Sequence, residues 1–278
     1  MGLILSEAQV EQYYTNGLLL IEDVFDKPDL LHVRELFLDA FSRGLWKEAP
    51  HSDPSIINDI YSYFPDSLDT LFPARFFQVL KDILGEEIVW IPECSIHRNR
   101  FIHWHKDTSV QELHGEQSHR EYAAPLVQAA IYFQDNDPKT GGGLTVILGS
   151  QTLPDSFAPM LSASPLHRIY YKLLKTLRLS SFERAERSKL KVNVPSAVGS
   201  LLLFDLRVDH RSTGSKKEKN GVDKLAIFNT FGLDNTTTKD YYRFMKERPE
   251  PYYQYFRDKP LHPSVYAKAA EHGITIWY

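Results

Sequence analysis

Cysteine is almost absent from this sequence, which contains a single one, Cys94, among 278 residues. No disulfide can therefore form within the chain, and such a composition is typical of a protein kept in a reducing compartment. Residues 1–7 (MGLILSE) lack the basic stretch and the long apolar core of a signal peptide. We therefore expect a cytoplasmic protein.

The sequence also lacks a large excess of one charge and a long hydrophobic run. It carries 32 lysine and arginine residues against 36 aspartate and glutamate residues, a net charge of −4. This balance gives no electrostatic reason to expect a nucleic-acid partner. No run approaches the roughly 18 apolar residues of a membrane-spanning helix, so we expect no membrane partner either.

The first third of the chain shows the periodicity of helices. Ser6 and Gln9 form the pattern of a capping box ahead of a first helix. Apolar residues at helical spacing predict a second helix over 26–44 and a third over 71–85. The polar and aromatic residues 46–70 between them are expected to form a long loop or a partial lid.

The rest of the chain is dominated by short apolar runs between turn signals, which predict strands. They lie at 18–21, 88–91, 126–133, 144–148, 192–194, 201–204 and 225–231. One interruption, residues 155–190, contains an amphipathic helix over 166–177 and is predicted to be an inserted helical lid. A last helix is expected at 263–272.

Helices followed by spaced strands predict a mainly β chain with flanking helices, folded as a double-sheet β-barrel faced by the N-terminal helices. Hydrophobic residues make up 42% of the chain, which is ample for a core. We find neither an internal repeat nor a linker, so residues 1–278 are predicted to form one domain.

One short stretch, residues 101–108 (FIHWHKDT), carries the pattern of a metal site. If it is a β-strand, His103, His105 and Asp107 share one face, because side chains alternate along a strand. An imidazole and a carboxylate two residues apart provide two corners of a 2-His-1-carboxylate triad, which leaves positions open on non-haem Fe(II). The best remote candidate for the third corner is His210, predicted at the end of another apolar strand.

Four blocks of the sequence, in order, resemble the phytanoyl-CoA dioxygenase family of Fe(II)/2-oxoglutarate-dependent oxygenases. They are the helix and strand at 5–24, the His105-Lys106-Asp107 motif, the turn and strand at 142–150, and 199–205 followed by His210-Arg211-Ser212. The resemblance implies a double-stranded β-helix, or jelly roll. It also implies Fe(II) held by His105, Asp107 and His210, with 2-oxoglutarate as co-substrate and O2 as oxidant.

The resemblance extends to residues expected to contact 2-oxoglutarate. The family carries an arginine for the far carboxylate just before the strand that follows the distal histidine, and this sequence has Lys224 there. A lysine binds a carboxylate as a point charge, without the two-pronged geometry of arginine. Gln128, Thr145 and Ser212 are the further candidates for contacts with the co-substrate.

Several alternatives remain open from the sequence alone. His103 competes with His105 as a ligand, although the family pattern favours His105 and leaves His103 as a core or pocket residue. Lys224 is alternatively a solvated charge. The chain as a whole is alternatively a cupin-type zinc or iron protein that does not use 2-oxoglutarate, or a catalytically silent relative that only binds a ligand. The presence of Asp107 argues against halogenation, for which the resemblance implies glycine or alanine at that position.

The substrate is expected to be a small molecule, and the oligomeric state is left open. The insertion at 155–190 favours a tailoring step in natural-product biosynthesis, for example on an alkaloid toxin of the cylindrospermopsin kind. Relatives of the family also act on acyl-CoA thioesters, amino-acid-like solutes and phosphonates, and these remain alternative substrates.

Overall fold

The computed structural model describes residues 4–48, 53–113, 125–157, 165–177, 179–214, 222–247 and 260–277. The α-helices are α1 (Glu7–Asn16), α2 (Lys27–Arg43), α3 (Ile60–Tyr63), α4 (Leu68–Leu71), α5 (Ala74–Leu84), α6 (Ser109–Leu113), α7 (Pro165–Thr176), α8 (Ser181–Arg187), α9 (Thr236–Glu247) and α10 (Pro263–Glu271). The strands are β1 (Leu18–Ile21), β2 (Ile56–Asn58), β3 (Ile88–Arg98), β4 (Val127–Tyr132), β5 (Leu144–Ile147), β6 (Lys191–Val194), β7 (Leu201–Asp205), β8 (His210–Ser212), β9 (Leu225–Leu233) and β10 (Thr275–Ile276).

These strands form two sheets. The larger sheet has the order β1-β7-β4-β9-β3-β10, with β2 also paired to β3, and the smaller sheet has the order β6-β5-β8. The pairs are antiparallel except that β10 runs parallel to β3. The described chain therefore combines helices with two mostly antiparallel sheets.

The two faces of the large sheet pack against different partners, because successive side chains of a strand point to opposite sides. Along β9, Leu225 and Ile227 belong to a core that includes Phe37 of α2, whose ring centroid lies 5.4 Å from that of Phe133. Ala226, between them, packs instead with Val146 of the small sheet. This second, inner face is the one that holds the candidate site.

The first helix begins as the sequence predicts. The Ser6 hydroxyl accepts a hydrogen bond from the Gln9 amide, and the Gln9 side chain accepts one from the Ser6 amide, so the capping box is present. The helix ends at Gly17, which has φ +78° and donates its amide to the carbonyl of Tyr13. The left-handed conformation at this position favours glycine.

The prediction of a regular strand over 101–108 is wrong. Only His105 makes a strand-like bridge there, to His210, and the neighbouring residues are irregular. The preceding strand ends at Arg98, and Asn99 takes a positive φ of 54° that breaks the extended backbone. Side-chain burial nevertheless alternates across the segment, with Trp104 and Lys106 buried, which is the signal that imitates a strand.

Two further predictions need correction. His210 does not end the apolar strand β7 but begins β8 in the other sheet, because the chain turns after Asp205. Residues 46–70 are not simply a loop where they are described. They contain β2, whose buried residues pair with β3, and the short helices α3 and α4.

The insertion 155–190 contains the predicted amphipathic helix, α7, although residues 158–164 and 178 lie outside the described part of the chain. Four large apolar residues of α7 are exposed rather than packed into the core, from 54% for Tyr170 to 78% for Leu166, and Leu174 is half-buried. Its function as a lid stays a prediction. Among the described helices, none is both long enough and apolar enough to cross a membrane.

Replacing Gly17 by alanine is expected to destabilise the fold by more than about 2 kcal/mol, through the left-handed backbone and steric overlap together. An added Cβ would overlap the Cγ2 methyl of Val208 and lie 2.5 Å from Oε1 of Gln151. Urea denaturation of the purified variant measures the loss.

The matched control is Gly273→Ala. Gly273 has a similar φ of +70° but no heavy atom within 4 Å of the added Cβ, so only the backbone term of about 1–2 kcal/mol applies. Equal losses in the two variants would contradict the close approach at Gly17.

Candidate metal centre

Main-chain hydrogen bonds bring two distant segments together at the candidate site. The amide of His105 donates to the carbonyl of His210 and the amide of His210 donates to the carbonyl of His105, each at 2.9 Å. Asp107 donates its amide to Leu206, also at 2.9 Å. Directly paired residues of antiparallel segments present neighbouring side chains, so both imidazoles project to the same side.

The three predicted ligands converge. Nε2 of His105 lies 3.4 Å from Oδ1 of Asp107, and Nε2 of His210 lies 3.6 Å from the same oxygen. One potential ligand atom from each residue lies within 4.8 Å of the other two. No other such group of His, Cys, Asp or Glu side chains occurs among the described residues.

The two imidazoles are oriented through their Nδ1 atoms. Nδ1 of His105 lies 2.7 Å from the carbonyl oxygen of His103, and Nδ1 of His210 lies 2.9 Å from that of Val208. A carbonyl oxygen only accepts, so each Nδ1 must carry the proton. Each Nε2 is then the atom that would carry the lone pair for a metal ion, which is the arrangement that metal-binding histidines adopt.

The electrostatics of the three side chains fit a cation between them. Burial tends to raise the pKa of Asp107, but His210 and the hydrogen bond with His105 outweigh it and lower that pKa. Burial and the neighbouring His105 lower the pKa of His210 to about 4, so this imidazole is neutral at pH 7. Burial tends to lower the pKa of His105, but its hydrogen bond with Asp107 outweighs burial and raises that pKa, so a metal ion would displace this proton. A neutral imidazole and an ionised carboxylate are the forms that bind metals. The donor set and its spacing therefore fit Fe(II) in a facial triad.

Lys106, between two of the predicted ligands, has a role that the sequence did not indicate. Its side chain is only 2% exposed, and its ammonium donates to the carbonyls of Ser150 and Arg207 and lies 3.4 Å from Oδ1 of Asp209. Burial lowers its pKa and raises that of Asp209 to about 6. This ion pair joins the residue beside Asp107 to the residue beside His210, so it cross-links the two ligand-bearing segments.

Gln128, a candidate for contact with the co-substrate, lies on the inner face of the large sheet. Gln128 is paired with Phe204, whose ring centroid lies 5.0 Å from that of His210. Its Oε1 accepts a hydrogen bond from Thr230 at 2.7 Å. Gln128 therefore lies on the side of the sheet that faces the candidate metal site.

Tyr132, which sequence reasoning missed, lies further along the same face. It packs in the inner core with Ala130 and is paired with Ala226. Its hydroxyl is buried and has no hydrogen-bond partner, and burial raises its pKa. Leaving a buried hydroxyl unpaired costs about 1–3 kcal/mol, so this hydroxyl is a candidate donor on the inner face. The sequence shows Tyr132 only as one residue of an apolar strand, so it could be identified only once the register of the paired strands was known.

Lys224 lies two residues before Ala226, at the same end of the large sheet as Tyr132. Its ammonium donates to the carbonyl of Asp135 at 3.2 Å, and its side chain lies against the turn at Gly142. Burial lowers its pKa. The lysine is thus half-buried rather than fully solvated.

The remaining candidates are placed differently. Thr145 pairs with Arg211, whereas His210 pairs with Val146, so Thr145 lies on the opposite face from His210. Its hydroxyl bonds to Asn193 and Thr213. The structure does not bring Thr145 together with the triad.

Ser212 shares the face of His210, but its hydroxyl is engaged with the segment before the metal motif. It accepts from the Ile102 amide at 3.0 Å and donates to the Arg100 carbonyl at 3.5 Å. His103 is exposed and belongs to a cavity of about 510 Å³ with Phe101 and Trp104, apart from the three converging ligands.

A second missed residue is His97, on the inner face of β3. It pairs with Ala226, its Nε2 lies 3.0 Å from the Ser95 hydroxyl, and its ring lies 5.2 Å from that of Phe228. Burial and Arg100 lower its pKa to about 3, against the opposing charge of Asp107. His97 is therefore a neutral polar group that faces the interior near the site.

No protein-family model matches the sequence, and no curated protein shows significant sequence similarity to it. Solved structures do match in fold. HygX from Streptomyces hygroscopicus, with nickel and 2-oxoglutarate bound, is 16% identical with a TM-score of 0.57, over 83% of this chain and 88% of that one. EctD from S. alaskensis, with 2-oxoglutarate and 5-hydroxyectoine, is 18% identical with a TM-score of 0.58, over 82% and 76%.

EvdMO1 is 16% identical with a TM-score of 0.56, over 82% of this chain and 50% of that one, so the present chain spans half the length of EvdMO1. At sequence identities this low, the structural similarity establishes a shared fold and nothing more. The activity has to be argued from the site itself.

Replacing Lys106 by methionine is expected to destabilise the protein by about 3–5 kcal/mol, because it leaves Asp209 as an unpaired buried charge. Adding Asp209→Asn should recover roughly 1–3 kcal/mol of that loss. Chemical denaturation of the two single variants and the double variant measures the coupling.

The control for this cycle is Lys27→Met. Lys27 is 53% exposed in its pair with Asp23, and removing an exposed pair costs about 1 kcal/mol or less. If the double variant lost as much unfolding free energy as the two single variants together, Lys106 and Asp209 would not be energetically coupled.

Proposed function

We propose that this protein is a non-haem Fe(II)/2-oxoglutarate-dependent dioxygenase that hydroxylates a small-molecule substrate. Residues 1–278 would form one domain on a double-stranded β-helix, with 155–190 as a lid. The observation that carries the proposal is the convergence of His105, Asp107 and His210, with both Nε2 atoms directed at one carboxylate oxygen.

The ligand set determines the chemistry. When bound by two imidazoles and one carboxylate on one face, Fe(II) supplies open positions at which a 2-oxo acid and O2 react. The protein holds the three ligand residues in place through main-chain bonds and packs Phe204 of the apolar inner core against His210.

The inner face offers groups for the co-substrate. We assign the far carboxylate of 2-oxoglutarate to Lys224 and Tyr132: the lysine provides a charge and the tyrosine provides an unpaired buried hydroxyl. Gln128 lies on the same face, nearer to His210. Ser212 would act indirectly, by fixing residues 100–102, and Thr145 has no contact to offer from the opposite face.

The solved structures of the same fold support this assignment of cofactors. One HygX structure contains nickel and 2-oxoglutarate, and one EctD structure contains 2-oxoglutarate with 5-hydroxyectoine. We extend this to a small-molecule tailoring reaction in natural-product biosynthesis. A substrate of the cylindrospermopsin kind stays a prediction.

Asp107→Ala is expected to lose iron retention and turnover together, since it removes the one anionic ligand. Under anaerobic conditions, Fe(II) and 2-oxoglutarate should give the wild type a weak visible charge-transfer band, and aeration should release succinate. The variant should show neither signal. Asp39→Ala, in an exposed pair with Arg43, is the matched carboxylate control and should retain both.

The same assay separates the alternative function. A cupin-type metal protein would bind iron through the same residues but show no charge-transfer band with 2-oxoglutarate and form no succinate. That result, with iron binding intact, would replace the present proposal.

Lys224→Ala is expected to raise the KM for 2-oxoglutarate roughly 10- to 100-fold, the effect of losing one charge-assisted hydrogen bond. Iron affinity should be unchanged. Tyr132→Phe should raise the KM by about tenfold or less, because it removes a neutral donor. Steady-state succinate formation measures both effects.

Two controls accompany these variants. Lys224→Arg should keep the KM near the wild-type value, because arginine binds carboxylates at two points. Lys139→Ala changes an exposed lysine on the neighbouring turn and should have no effect. Unchanged 2-oxoglutarate affinity in Lys224→Ala would refute the role of this lysine.

A further inference from the structure

The helix α7, in the insertion between β5 and β6, presents an apolar stripe to solvent. The stripe consists of five exposed side chains in and directly after the helix: Leu166, Ile169, Tyr170, Leu173 and Leu177. The amide of Leu177 donates to the carbonyl of Leu173 at 3.0 Å, so the last of them continues the helical turn. Spacings of three and four residues place all five on one side of the helix. We call them the α7 stripe.

The α7 stripe is not part of the core. None of its residues belongs to any of the four hydrophobic clusters that the described residues form. Leu179, whose amide donates to the carbonyl of Leu174 at 2.8 Å, is exposed as well. Six of the fourteen exposed large hydrophobic side chains in the described part of the chain therefore lie within residues 166–179. Such a concentration of exposed apolar surface marks a site of contact with another protein or with a membrane.

The charge of the same segment distinguishes between these two kinds of surface. Between Asp155 and Glu183 the sequence contains no acidic residue and four basic ones, Arg168, Lys172, Lys175 and Arg178. The whole chain has a net charge of −4, so this segment is opposite in sign to the rest of the protein. A basic helix with one apolar side is suited to an anionic lipid surface, because the apolar side enters the acyl boundary while the cations remain at the head groups.

A second copy of the chain suits the α7 stripe less well. In a two-fold dimer the same patch meets itself, so the basic segments of the two copies would approach each other. Like charges brought together oppose that association. An anionic membrane surface instead attracts each basic residue that comes near it.

We propose that the α7 stripe docks this protein on the surface of an anionic lipid membrane, with α7 lying in the plane of the interface. The leucines and Ile169 enter the acyl boundary, and Lys172, which is exposed, reaches the lipid phosphates. The expectation of no membrane partner was drawn from the absence of a run long enough to span a bilayer. A helix that lies in the interface needs no such run.

The docking segment is attached to the candidate metal site through α8. Oε1 of Glu186 in α8 accepts a hydrogen bond from the indole of Trp104 at 2.9 Å and lies 2.8 Å from Nε of Arg211. Trp104 precedes the ligand His105, and Arg211 follows the ligand His210. The insertion that contacts the membrane is thus held to both ligand-bearing segments.

The direct test is co-sedimentation of the full chain with lipid vesicles. Vesicles of equal parts phosphatidylglycerol and phosphatidylcholine should bind the protein roughly tenfold or more tightly than vesicles of phosphatidylcholine alone. High salt should weaken the binding, because it screens the charges. No binding to the anionic vesicles, or equal binding to both kinds, overturns the proposal.

Two variants with matched controls locate the docking surface. The double variant Leu173→Ser, Leu177→Ser removes apolar area and should weaken vesicle binding about tenfold or more, whereas Leu31→Ser, at a leucine of α2 that is 45% exposed, should bind like the wild type. Lys172→Gln should weaken binding roughly fivefold. Its control is Lys27→Gln, at a lysine that is 53% exposed. Equal binding by the variants and their controls would refute docking through α7.

Folding, the metal site and self-association provide the remaining checks. The double variant should unfold at the wild-type urea concentration, since both leucines are exposed. Asp107→Ala should bind vesicles like the wild type, which separates this proposal from the proposed oxygenase activity. If sedimentation velocity without vesicles showed a dimer that the double variant dissociates, and the wild type did not bind vesicles, the α7 stripe would be a dimer interface and the proposal would be wrong.

Discussion

The reciprocal main-chain hydrogen bonds between His105 and His210 are the constraint on which the candidate site depends. Residues more than a hundred positions apart in sequence are held side by side by two bonds of 2.9 Å, extended on one side by the bond from Asp107 to Leu206. Because the main chain sets the spacing of the three residues, one potential ligand atom from each lies within 4.8 Å of the other two. The geometry of the candidate metal centre therefore depends first on the pairing of the two segments and only then on the side chains.

The alternation around this pairing gives one short segment two functions. On one side, His105 and Asp107 face the inner core and the candidate iron position. Between and after them, the side chains of Lys106 and Thr108 are buried, at 2% and 0% exposure. The buried ammonium is tolerated because its donors are all used, by two carbonyls and by Asp209. The same pair of segments thus combines the candidate metal site with a buried ion pair that links the two segments.

Local sequence signals predicted several helices and strands and the candidate ligands. Most of what could not be predicted depends on the register of paired strands. The capping box at Ser6, the helix α7 and the strand β5 follow from spacing alone. The short motif and one remote histidine gave the candidate ligands, and only the family resemblance favoured His105 over His103. Thr145 could not be placed, because its face depends on being paired with Arg211 rather than His210. Helix α9 was not predicted, because it begins with three threonines, which are poor helix formers. It is stabilised by the packing of Tyr241 and Met245 with Ile91.

The partners of the two Nδ1 atoms have a consequence for the variability of the site. Each proton is received by a main-chain carbonyl two residues earlier, at His103 and at Val208, and every amino acid supplies such a carbonyl. Side chains at these two positions can therefore change over evolutionary time without altering the tautomer of either ligand. The orientation of both imidazoles is therefore written into the main chain, and packing alone restricts which residues can stand at these two positions.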